Sequence, residues 1–109
     1  MEHWDITSLS IEPHQPQVLR TDEETRVITL ALPAGEELQE HQVHERAYVV
    51  VVDGEAEIES ADGQTVCGGP GVLAHFEPGE RHTVRARSDV RLVLLLSPWP
   101  GEGHPSRRA

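Results

Sequence analysis

The chain contains no lysine; its nine basic residues are all arginine, set against nineteen acidic ones for a formal net charge of −10. The arginines, such as Arg20, Arg46 and Arg91, are scattered and form no basic cluster. Phosphate backbones and anionic membrane surfaces are held by concentrated positive charge, so neither nucleic acid nor membrane is expected as a partner. Cysteine is nearly absent as well. Cys67 stands alone, which excludes an intrachain disulfide and a cysteine-based zinc site and suits a reducing compartment. No apolar run approaches the roughly 20 residues that span a bilayer, and the opening "MEHWDITSLS" lacks a basic segment followed by an apolar core. The expectation is a soluble, cytoplasmic protein. A glycine-rich phosphate loop followed by lysine is also missing, and few stretches suit a helix.

What is present is a series of short β-branched or alternating runs divided by glycine, proline and Asp-Gly. At 109 residues there is room for one core. "RVITLALP" ends at Pro33-Ala34-Gly35, and "AYVVVV" ends at Asp53-Gly54, a pair suited to a hairpin turn. "EAEIE" alternates, with Ala56 and Ile58 inward and Glu55, Glu57 and Glu59 outward, and is expected to run antiparallel to the valine strand. Further strands follow in "QTVC", "VLAHF", "HTVRAR" and "VRLVLLL". Many short antiparallel strands with turns about every ten residues predict an all-β fold, a small two-sheet jelly-roll barrel. The predicted organisation is one domain: residues 1–20 an N-terminal extension packing on the barrel, 21–97 the barrel, and 98–109 a Pro/Gly-rich tail. Trp4 and Trp99 are candidate anchors for the two ends.

Val49 to Val52 and Leu92 to Leu96 are apolar on both faces, so one face lines the interior and the other meets something dry. A homodimer interface is the first expectation, with the N-terminal segment folding over that face as the other.

Seven histidines are the main carriers of possible chemistry. "HQVHE" is not the zinc-protease motif, because its glutamate follows the second histidine and the region is strand-rich. Cys67 is expected to be a buried, inert thiol, and Arg81 either a solvated turn residue or a counter-charge for an acidic ligand. His82 shares a strand face with Val84 and Ala86 and is expected to point inward. His75 shares a face with Leu73, leaving it either in the cavity or on the surface.

The stretch from Gly35 to Gly54, with His41 between them, resembles the first motif of the cupins. "GVLAHFEPGERH" resembles the second, with Gly71, Gly79 and His82 at matching positions and Pro78 displaced by one. The resemblance implies the same small barrel and a site of three histidines and one glutamate. Two of those places are changed: Val43 stands where the second histidine belongs, and Ala47 or Tyr48 near the glutamate's place. His44 comes one residue late and would need a bulge to share a face with His41, as would Glu45 to serve as a displaced carboxylate.

The candidate metal ligands are therefore His41 and His82, joined by His75 or His44, and the candidate pocket residues are Val43, Tyr48 and Val84. Three imidazoles in one pocket would suit Zn, Fe, Mn, Ni or Cu; otherwise the cavity holds no metal. The expected function is small-molecule binding in a histidine-containing cavity. The alternatives are a metal-dependent dioxygenase or isomerase, and an interaction module acting through its dry outer face.

Overall fold

The computed structural model describes residues 1–41 and 45–97, with the backbone alone for residues 39–41. Nine strands run in chain order: β1 Gln17–Thr21, β2 Arg26–Leu32, β3 Glu37–His41, β4 Arg46–Asp53, β5 Ala56–Ser60, β6 Thr65–Gly68, β7 Leu73–Phe76, β8 His82–Ala86 and β9 Val90–Ser97. They form two antiparallel sheets, one ordered β1-β2-β9-β4-β7 and the other β3-β8-β5-β6. This is the two-sheet jelly roll that the strand pattern predicts. Among the described residues no helix is long and apolar enough to cross a membrane.

Alternation decides which side chains meet between the sheets. In β4, Ala47, Val49 and Val51 are buried while Tyr48, Val50 and Val52 are half-buried on the other face. In β9, Val90, Leu92, Leu94 and Leu96 take the inner positions, in register with Leu32, Leu30, Ile28 and Arg26 of β2. The opposing sheet supplies Ala56, Ile58, Val84 and Ala86. Each of the larger of these side chains contributes about 1.5–3 kcal/mol by leaving water.

One pairing differs from the sequence expectation. β5 does not fold back on β4: β4 pairs with β7 and β9, and β5 with β6 and β8. The Asp53-Gly54 turn is thus a crossing between sheets. Both runs carry an apolar inner face, and the core is built by setting those faces opposite one another instead of hydrogen-bonding the strands edge to edge. The Asp62-Gly63 turn does close a hairpin, from β5 into β6, with Ser60 N–H donating to the Gln64 carbonyl and Gly63 N–H to that of Ser60.

Two strands carried no clear signal. β1 has only Leu19 half-buried among exposed residues, so it shows no alternation, and it lies across the boundary drawn at residue 21. β3 reads "ELQEH", a polar stretch at a sheet edge.

The outer faces differ in character. On the four-stranded sheet, Glu37, Arg85 and Glu57 fall in one row across β3, β8 and β5. Arg85 bonds Glu37 at 3.0 Å and Glu57 at 2.8 Å, and Arg87 bonds Glu57 at 3.1 Å. On the five-stranded sheet, the N-terminal segment reaches the β2/β9 end. Arg91 donates to the carbonyls of Ile6 and Leu9, His14 N–H donates to that of Ala31, and Trp4 is half-buried. Both expectations for the dry face therefore have a place to act, because Tyr48, Val50, Val93 and Leu95 lie beyond the Arg91 contact and stay half-buried.

Candidate functional site

The described residues bury three polar side chains: Thr29, Glu45 and His82. Thr29 is accounted for, since its hydroxyl donates to the Leu92 carbonyl at 2.9 Å. The other two lie at strand starts, Glu45 just before β4 and His82 at the first position of β8.

His82 is 2% exposed. Its ring stacks on Phe76 of the opposite sheet, with centroids 4.0 Å apart and planes 13° from parallel, an arrangement that holds the imidazole by contact as well as burial. Nδ1 lies 3.3 Å from the Glu80 carbonyl. A carbonyl only accepts, so in the neutral ring Nδ1 carries the proton and Nε2 keeps the lone pair. The Pro78-Gly79 turn positions that carbonyl, with Gly79 at φ 80° and Glu80 N–H returning to the Glu77 carbonyl.

The backbone brings His41 opposite His82, and His82 opposite Ser60, in a single row across β3, β8 and β5. A bulge makes this possible. Leu38 pairs with Val84, yet the next recorded pair is His41 with His82, so three residues of β3 match two of β8. Strict alternation from Leu38 would have put Glu40 in the row. The ring of His41, and all of Val43 and His44, lie outside the described residues.

The remaining candidates separate. Val84 is fully buried within the core and faces no open space. Tyr48 and His75 are register partners on the outer face of the five-stranded sheet, their rings 5.0 Å apart. Both stand on the face opposite Ala47 and Phe76, and His75 also borders a depression between β6 and β7. The physical reason is parity: Ala47, Val49, Ala74 and Phe76 take the inner positions, so Tyr48 and His75 take the outer ones. Outside, His75 Nε2 stands 3.9 Å from Glu77, which also bonds Arg46 at 3.1 Å.

Two depressions lie at this end of the barrel, and His82 lines the first. One, of about 300 Å³, sits at the end of the four-stranded sheet by Ser60, Gly63, Arg81, His82 and Thr83. The other, of about 250 Å³, lies between β6 and β7 and shares Ser60 with the first. Sequence reasoning missed the second, because it depends on two sheet edges that do not pair. Among the described residues no three of His, Cys, Asp or Glu are grouped to hold a metal ion. Those residues do not include the ring of His41 or any of His44.

Residues 28–98 match the family model for the cupin domain. No curated protein matches. Among solved structures, the chain is similar to a conserved protein of unknown function from Streptococcus pyogenes, at 23% identity over 93% of each chain with a TM-score of 0.75. It is also similar to an RmlC-like cupin with a double-stranded β-helix fold from Methanocaldococcus jannaschii, at 13% identity over 99% of this chain and 95% of that one, TM-score 0.76. A third, the DMSP lyase DddQ from Ruegeria pomeroyi, matches at 20% identity over 72% of this chain and 41% of that one, TM-score 0.68.

Proposed function

Since the chain belongs to the cupin family, we propose that it is a small-molecule-binding barrel protein whose working end surrounds His82. The observation that carries this reading is a buried imidazole with its tautomer set by a backbone carbonyl, in the lining of an open depression of about 300 Å³. Pockets of this kind join apolar walls to a few fixed polar groups. Ser60, Arg81 and the His82 ring supply polar groups to the larger depression, and Phe76 and Ile58 supply apolar surface to the neighbouring one.

A metal-dependent enzyme is the second reading, favoured by the register that sets His41 opposite His82. A metal at that place would supply Lewis-acid or oxygen-binding chemistry. The binding reading stands first because Val43, and Ala47 or Tyr48, occupy the places of the family's second histidine and glutamate.

The test pairs elemental analysis of untagged protein, purified without chelator, with a thermal-shift screen of small organic compounds. Both are run on the parent and on a His41→Ala, His82→Ala double variant. The expected result is no stoichiometric metal in either, with compounds that stabilise the parent and not the variant. Near-stoichiometric metal in the parent alone would replace the binding reading with the enzyme one.

A further inference from the structure

The row of inner-face residues that crosses the four-stranded sheet runs Leu38, Val84, Ile58, Val66. Val84 is 0% exposed and Ile58 4%, but Val66 at the β6 edge is 40% exposed. Its side chain belongs to the core by parity and is nonetheless left partly in water. The cause is that β6 ends one sheet and β7 ends the other, so nothing bridges them there. The gap is the 250 Å³ cleft walled by Ile58, Val66, Val72, Ala74 and Phe76. Val72 closes its floor against Gly68, where even a Cβ would come within 2.6 Å of the valine methyl.

The polar lining of the cleft is Ser60, Gln64, His75 and Glu80, and Glu80 is the carboxylate among them. Ser60 directs its hydroxyl proton at the Asp62 carboxylate, leaving its oxygen lone pairs. Glu80 accepts Glu77 N–H through Oε1 at 3.0 Å, which leaves other carboxylate lone pairs available. No arginine lines the cleft among the described residues. An anionic ligand would meet the like charge of the Glu80 carboxylate, whereas an ammonium would meet a complementary one, with Gln64 and His75 as the lining groups able to donate.

Resting on the small-molecule reading above, we propose that the β6/β7 cleft binds a compact apolar compound carrying an amine at one end. The apolar body covers Val66, Val72 and Ala74, and the amine donates to Ser60 and Glu80. At the roughly 30 Å³ that one water occupies in the liquid, 250 Å³ admits about eight such non-hydrogen centres, the size of a single ring with a short substituent.

The experiment is an amide-shift titration of the ¹⁵N-labelled full chain at neutral pH with benzylamine, benzyl alcohol and benzoate. Two variants accompany it, Glu80→Gln and the cleft-filling Ala74→Phe. Benzylamine is expected to move the amides of Val66, Val72, Ala74 and Phe76 saturably, and to bind about threefold or more tighter than benzoate, as a partly exposed charge pair allows. Glu80→Gln should abolish that preference and leave benzyl alcohol unchanged; Ala74→Phe should abolish binding of all three. Benzoate binding as tightly as benzylamine to the parent, or no saturable shift from any probe, overturns the proposal. Shifts confined to Arg81–Thr83 overturn the cleft while leaving the small-molecule reading standing, since that reading is decided separately by elemental analysis and the thermal-shift comparison with the double-histidine variant.

Discussion

Gly54 offers a controlled test of how tightly the two sheets are joined. It sits at φ 78° in the crossing from β4 to β5, and a Cβ there would lie 2.0 Å from the Asp89 carbonyl oxygen, 2.9 Å from its carbon and 3.0 Å from Ser88 Oγ. Gly54→Ala therefore carries two costs. The left-handed backbone costs about 1 kcal/mol for any Cβ. The overlap is with backbone, so the Ser88–Asp89 turn must move. That turn is held by Glu55 N–H donating to Ser88 Oγ at 2.9 Å, Ala34 N–H donating to Asp89 Oδ1 at 2.8 Å and Arg87 N–H donating to the Glu55 carbonyl at 2.9 Å. Losing two of these at about 1 kcal/mol each brings the total to about 3 kcal/mol. Gly63→Ala isolates the first cost, because Gly63 has φ 89° and nothing within 4 Å of its Cβ position. Urea unfolding followed by far-ultraviolet circular dichroism should show Gly54→Ala less stable than Gly63→Ala by about 2 kcal/mol. At a slope of about 1–3 kcal/mol per molar, the midpoint gap is roughly 0.7–2 M. Two variants agreeing within about 0.5 kcal/mol, the range of an ordinary surface change, would refute the contact.

Glu57 predicts an acid dependence. Burial raises its carboxyl, and hydrogen bonds and charge from Arg87 and Arg85 together more than reverse this, leaving it below its ordinary 4.5. A carboxylate lowered on folding contributes stability that is full above the unfolded value and lost as pH falls through the folded one. Glu57→Gln should thus be less stable than the parent near neutral pH, the gap closing below 4.5; a gap constant down to about pH 3 would refute the assignment. His82→Ala removes a buried ring stacked on Phe76 and should cost about 2–4 kcal/mol in the same unfolding assay; a loss under about 1 kcal/mol would mean that the ring is not packed as described. The half-buried Tyr48, Val50, Val93 and Leu95, with Leu73 62% exposed beside them, lead us to expect a homodimer through this outer face. Light scattering checks it, and a mass of 12.1 kDa at micromolar concentration refutes it.

The candidate site was partly readable from the residues. The inward direction of His82 follows from its alternation with Val84 and Ala86, a local property of one strand, and burial of all three agrees with it. The cleft between β6 and β7 was not readable, because Val66 and Ala74 are ordinary strand residues until their sheets are seen to end beside each other. His75 was ambiguous for a related reason: a strand face is inner or outer only relative to the neighbour it pairs with, and that neighbour is β4, more than twenty residues earlier.

The sequence by itself determined the all-β class, seven of the nine strands, the glycine positions at the turns and the cupin motifs, since each rests on side-chain period or backbone freedom within a few residues. Tertiary structure alone decided that β4 and β5 face each other across the core, that a bulge in β3 sets His41 opposite His82, and that Tyr48 and His75 look outward. Those outcomes depend on register between distant strands. Period-two alternation tells one face of a strand from the other, but which face becomes the interior, and where an extra residue rephases it, is settled only when the whole apolar surface is buried at once.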